Sequence, residues 1–151
     1  MDSPHAVHLR LGRFSEAGRI YALTTVVKNR LPLFVDLQLA RLVIAQLRLA
    51  QAEHLAQSLA WVVMPDHVHW LVQLQDATLS TLMGRMKSRS TRAINSALGR
   101  DGALWQRGYY DRAVRREEEL QGIARYIVMN PVRAGLARTV KEYSHWDAVW
   151  V

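Results

Sequence analysis

At 151 residues, half of them hydrophobic, the chain is long enough for one domain with a sizeable core and short for two. It has no cysteine, which excludes disulfide frameworks, thiolate metal sites and thiol nucleophiles and suits a reducing compartment. No apolar run approaches the roughly 18 to 20 residues of a membrane span, and Asp2, Ser3, Pro4 and His5 lack the apolar core of a signal peptide. A soluble cytoplasmic protein is expected.

The formal charge of +7 is unevenly placed: Arg85 to Arg116 holds nine basic residues and two acids, a local excess as large as that of the whole chain. Arginine outnumbers lysine 17 to 3. A GC-rich genome explains an arginine excess but not its concentration, which costs stability through self-repulsion unless a polyanion relieves it. Guanidinium forks also suit phosphate oxygens, so nucleic acid is the expected partner.

Met1 to Gly18 reads as an irregular arm, and Arg19 to Lys28, rich in β-branched and aromatic residues, as a strand. Asp36 can cap a helix running to about Glu53, in which Leu39, Val43, Leu47 and Ala50 recur at helical spacing. Leu59 to Met64 and His67 to Gln75 read as two strands, joined tightly through Pro65 and Asp66. A long helix from about Ala77 to Leu98 buries Leu79, Leu82, Met83, Met86, Ala93, Ile94 and Ala97 and carries Arg85, Arg89 and Arg92 as a basic stripe. Gly99 to Gly102 ends it, and Tyr109 to Arg115 is the fourth strand. Glu117 to Glu119 open a last helix, which is expected to stop at Asn130 because Pro131 disfavours helical geometry before it. The order β-α-β-β-α-β plus a helix predicts an α+β fold: a ferredoxin-like sandwich on one antiparallel sheet, a single domain over residues 1–151.

Two groups of residues suggest chemistry. In a strand, His67 and His69 share one face while Val68, Trp70, Val72 and Leu74 take the other, which is the expected core face. Two imidazoles so placed are either partly exposed strand residues or a pair able to bind one divalent metal. Tyr126 and Asn130, at i and i+4 on the last helix, also share a face, beside a core stripe of Leu120, Ile123, Ala124 and Ile127. Taken singly they read as a packing tyrosine and a helix C-cap; with the histidines they offer a nucleophile and an amide-oxygen ligand. Phenol is a weak nucleophile at its ordinary pKa near 10, so the fitting electrophile is a phosphodiester polarised by a metal.

Trp61-Val62-Val63-Met64-Pro65-Asp66-His67-Val68-His69 resembles the hydrophobic strand and His-hydrophobic-His signature of the HUH single-strand nucleases. Tyr126-Ile127-Val128-Met129-Asn130-Pro131-Val132-Arg133-Ala134-Gly135-Leu136 resembles the single-tyrosine block of the REP-associated tyrosine transposases. Met83 to Lys87, Ile94-Asn95 and Trp105 to Arg112 fit the same spacing, so the likeness runs from about Arg19 to Trp146.

The resemblance implies that His67, His69 and Asn130 ligate Mg²⁺ or Mn²⁺ and that Tyr126 attacks single-stranded DNA, forming a 5′-phosphotyrosine link and freeing a 3′-hydroxyl. It further implies a transposase, an endonuclease and strand transferase acting on imperfect-palindrome hairpins, working as a monomer, with a homodimer as the alternative. Arg85, Lys87, Arg89, Arg92, Arg107, Arg112, Arg115 and Arg116 are the expected DNA contacts. Tyr109 and Tyr110 are candidates for base stacking, and Trp105 for either stacking or sheet packing. The end at Val151, soon after Tyr143 to Trp146, suggests little tail to add DNA contacts. A non-catalytic hairpin-binding protein of transposase descent is the competing reading, and a phosphate-ester hydrolase would leave the basic stretch unused.

Overall fold

A computed structural model describes residues 18–149. Ile20–Val26 forms β1, Leu37–Ala52 α1, Ala56–Met64 β2, His67–Leu74 β3 and Leu79–Leu98 α2. Tyr110–Val114 forms β4, Leu120–Val128 α3, Asn130–Arg133 the single turn α4, and Trp146–Ala148 β5. The strands lie in the order β4-β1-β3-β2-β5, with every pairing antiparallel. The first four make the ferredoxin-like sandwich expected from the element order. Residues 1–17, and with them nearly all of the expected arm, lie outside the described residues. Among the described residues no helix is long and apolar enough to cross a membrane.

Local chemistry sets the helix ends. The Asp36 carboxylate accepts from the Gln38 and Leu39 backbone N–H groups at 2.8 and 3.4 Å and so caps α1. Asp36→Ala is expected to cost about 1 kcal/mol of stability, read as a lowered denaturation midpoint. Thr78 caps α2 through its Oγ1, which accepts from Thr81 N–H at 3.1 Å. Gly99 ends α2 at φ 62°, a left-handed geometry that a Cβ would oppose.

The alternation along β2 and β3 feeds two cores. Trp61, Val63, Val68, Trp70, Val72 and Leu74 pack with α1 and α2 on one face. Ala60, Val62, Met64 and Leu71 pack with Ala124, Ile127 and Val128 of α3 on the other. The face bearing His67 and His69 is therefore a second apolar layer, a correction to the single core face expected from β3 alone. The run Ala60 to Met64 is buried throughout because β2 is covered on both sides.

Two further features depart from the sequence reading. The last helix does not stop at Asn130: α3 ends at Val128, and Asn130 opens α4 with Pro131 in its first turn. Proline lacks only an N–H that a helix start does not use, so it begins a turn here rather than ending one. The segment after it also holds a strand that the sequence reading did not name. β5 pairs Trp146 with Val62 and Ala148 with Ala60, and Tyr143 Oη donates to Val63 O at 2.6 Å, closing the β2 edge.

Candidate active site

β1, β3 and β2 run side by side, so their registers decide what surrounds the histidines. His67 lies between Val26 and Met64, and His69 between Thr24 and Val62. The two imidazoles meet edge to face, with ring centroids 4.8 Å apart. His67 Nδ1 is 2.6 Å from Asp66 Oδ1; a carboxylate only accepts, so this nitrogen donates, and in the neutral ring Nε2 carries the lone pair. His69 Nδ1 lies 2.8 Å from Thr24 Oγ1, and the tautomer that donates from Nδ1 leaves its Nε2 free in the same way.

Electrostatics favour the neutral form of His69. Burial, the neighbouring His67 and the charge of Arg133 together pull the His69 pKa down to about 3. Burial pushes the Asp66 carboxyl up, but its hydrogen bond to His67, the charge of His67 and the nearby Arg30 outweigh this and hold it below the usual carboxylate range. Arg30 Nη1 donates to Asp66 Oδ2 at 3.2 Å.

α3 crosses the histidine face and completes the site. Ala124, Ile127 and Val128 anchor it, which leaves Tyr126 beside the apolar stripe and 60% exposed. His69, Thr24, Tyr126, Asn130 and Arg112 line one cleft of about 620 Å³. Arg133, which the sequence reading did not single out, places its guanidinium carbon 3.6 Å from the centroid of the Tyr126 ring.

The residues present fit a divalent ion. Among the described residues no three His, Cys, Asp or Glu side chains converge on a metal site, so the histidine pair needs an amide or solvent as third ligand. Asn130 has that chemistry. Its Nδ2 is buried with no hydrogen-bond partner, and the two ends of an amide exchange by a half-turn that would bring the carbonyl oxygen to the same place. Both imidazoles are fixed through Nδ1 by a carboxylate or hydroxyl, the arrangement that orients metal-binding histidines elsewhere.

The basic residues are distributed differently from the histidine site. α2 packs on the opposite face of the sheet, so Arg85, Lys87, Arg89 and Arg92 do not join the cleft that holds Tyr126. Lys87 Nζ donates to the Gln106 and Gly108 carbonyls at 2.8 and 2.6 Å and ties down the loop before β4. Arg89 makes a two-pronged contact with the Glu53 carboxylate. Exposed Arg92 and Arg107 instead share a separate cleft of about 870 Å³ with Lys28. Arg112 reaches the histidine cleft and lies 3.9 Å from Glu119, while Arg115 and Arg116 are exposed after β4.

Trp105 packs rather than stacking on a base: it is buried against Phe34, and its Nε1 donates to Ser90 Oγ at 3.0 Å. Tyr109 and Tyr110 are partly exposed. Thr24 and Asp66 escaped the sequence reading as site residues. Asp66 sat in view as the neighbour of His67, but Thr24 is a threonine in an apolar strand 45 residues away, with only its polarity as a signal.

The profile of the family described as "Transposase IS200 like" matches residues 17–130. A REP-associated tyrosine transposase of Escherichia coli K12 is 30% identical over 89 residues, 58% of this chain and 49% of that protein. A Haemophilus influenzae protein assigned to the same group is 27% identical over 100 residues, 59% of this chain and 57% of its own length. The chain thus spans about half the length of these curated relatives. A REP-associated tyrosine transposase solved with a REP hairpin superposes with a TM-score of 0.76 at 22% identity, covering 89% of this chain and 79% of that one, a likeness of fold. A crystal structure of a Deinococcus radiodurans protein assigned as a transposase gives a TM-score of 0.55 at 25% identity over 78% of this chain and 95% of that one.

Proposed function

The chain belongs to the IS200-like transposase family, and on that footing we propose that it cuts and rejoins single-stranded DNA beside imperfect-palindrome hairpins, with Tyr126 as nucleophile. The observation that carries this is the convergence of Tyr126, His69 and Asn130 on one cleft, from elements far apart in the chain. Tyr126 Oη attacks the phosphorus; the Oη–P bond forms, the P–O3′ bond breaks, the phenolic proton passes to solvent and the departing 3′ oxygen takes one up. The product is a 5′-phosphotyrosine link, and attack by a DNA 3′-hydroxyl reverses it. His67, His69 and Asn130 would hold Mg²⁺ or Mn²⁺, which polarises the scissile phosphate and offsets charge in the transition state. His69, Asn130 and Tyr126 meet at one cleft within a single chain, which supports a monomer as the working unit.

The test is a denaturing gel with labelled single-stranded hairpins drawn from repeats flanking the gene. A slow band that survives boiling, requires Mg²⁺ or Mn²⁺, and maps by peptide mass to the segment containing Tyr126 is expected. Tight hairpin binding with no such band under any metal would favour the non-catalytic binding protein.

Two supporting roles have their own readouts. Asp66→Ala removes the acceptor that orients His67 and is expected to raise the metal concentration for half-maximal adduct formation by about 10- to 100-fold. An unchanged metal titration would show that Asp66 serves only the turn. Phosphate contact should also make binding salt-sensitive. If Arg92, Arg107, Arg115 and Arg116 each neutralise one phosphate, a slope of about 0.7 per contact weakens hairpin affinity by about 50-fold on a fourfold rise in salt. A flat salt titration would remove the basic stretch from the DNA interface.

A further inference from the structure

We propose that Arg133 is a second functional residue of the tyrosine segment: its guanidinium holds the Tyr126 ring in place and donates to a non-bridging oxygen of the phosphate that Tyr126 attacks. This role rests on Tyr126 being the nucleophile. It begins with the chain path: α4 continues past Pro131, so one short turn carries both Asn130, which lines the cleft, and Arg133, which covers the tyrosine ring. A guanidinium carbon 3.6 Å from a ring centroid uses the face of the guanidinium, leaving its edge N–H groups to donate.

Fold stability does not account for the contact. Both partners are exposed, where a cation–π pair contributes little and an ordered arginine loses rotamer freedom. What sets Arg133 apart is its place, with its guanidinium against the ring of Tyr126, which lines the cleft. Arg30, Arg89, Arg112 and Arg138 each lie beside a carboxylate, Asp66, Glu53, Glu119 and Glu142 respectively. Arg133 pairs with no carboxylate among the described residues, and its guanidinium stays beside the exposed Tyr126 ring. A phosphate diester is the anion whose geometry suits an arginine fork beside an exposed phenol.

The experiment compares the unchanged chain with Arg133→Ala and Arg133→Lys on labelled hairpin DNA, in the presence of Mg²⁺. Adduct formation is followed as a single turnover at saturating DNA, and affinity is measured separately. Arg133→Ala is expected to slow adduct formation by about 100-fold with affinity within about threefold, and lysine to recover about tenfold of the loss. A rate within twofold of the unchanged chain, or a loss that excess DNA restores, would overturn the role.

A second readout does not depend on cleavage. The Arg133 Nε–H resonance, identified by its absence in Arg133→Lys, should shift when oligothymidylate is added with Mg²⁺. If no DNA yields an adduct, Tyr126 loses its role as nucleophile, and this resonance alone decides for Arg133. A shift keeps its phosphate contact; an unmoved resonance removes it.

Discussion

Tyr126→Phe is expected to abolish the covalent protein–DNA adduct while leaving hairpin affinity within about twofold. The change removes one oxygen from a ring that is 60% exposed, and among the described residues nothing hydrogen-bonds to that oxygen. The fold therefore has little to lose, and stability should stay within about 0.5 kcal/mol of the unchanged chain. Phenylalanine also keeps a face for the Arg133 guanidinium, so the segment around α4 keeps its packing. What disappears is the only atom proposed to bond to phosphorus, so the loss is total rather than graded. A boiling-resistant band persisting in the variant would place the nucleophile elsewhere. A tenfold loss of affinity would instead make Tyr126 a DNA contact.

The next largest effect is expected at His69. His69→Ala should lower adduct formation by about 100- to 1,000-fold, the scale on which loss of one preorganised stabilising group acts, with DNA binding nearly preserved. Alanine also removes the hydrogen bond between His69 and Thr24 Oγ1, which costs about 1 kcal/mol of stability. His69→Gln, which can still reach that hydroxyl, separates chemistry from folding: it should melt close to the unchanged chain and remain defective. Full activity in a well-folded His69→Gln protein would exclude His69 from metal ligation. Binding lost in step with cleavage in both variants would point to a direct DNA contact.

The same residue gives the chelated protein a pH signature. The His69 pKa is lowered from 6.5 to about 3, chiefly by burial, so below pH 6.5 the unfolded chain takes up a proton that the folded chain refuses. The contribution is complete above about 6.5 and is lost progressively as pH falls toward 3. Acid unfolding of His69→Gln, monitored with chelator present, should show a shallower fall across that window.

Much of the site was legible because its pieces are local. Alternation alone puts His67 and His69 on one face of a strand, and helical spacing puts Tyr126 four residues before Asn130 on one side of α3 and its continuation. The helix cap at Asp36 and the tight link at Pro65-Asp66 were equally local. Pro131 was misleading for the opposite reason. Its effect depends on whether the chain is ending a helix or starting a turn, and the burial of its ring against the fold decided for the turn.

The arginines mark the boundary most clearly. A stripe at helical spacing can be read from Arg85, Arg89 and Arg92, but not the layer to which the helix belongs. α2 packs with α1 on the face away from the histidines, and its Arg89 is held by Glu53 from α1's C-terminal end. Lys87, one residue pair earlier, is drawn to the carbonyls of Gln106 and Gly108. Their charges belong to the composition; their availability to a phosphate depends on which neighbours the fold brings to them.

From its residue order alone, this chain determined the order of its first four strands and three main helices, the shared face of the two histidines, the pairing of Tyr126 with Asn130 and the basic character of Arg85 to Arg116. These follow from backbone periodicity and side-chain type, which act over a few residues. The folded structure decided that Thr24 supports His69, that Arg133 covers Tyr126, that β5 closes the β2 edge and that the histidine face lies beneath α3. Each of these depends on strand register or on the face a helix chooses. Both are set by burying apolar surface across the whole sheet at once, a choice that no short window of sequence contains.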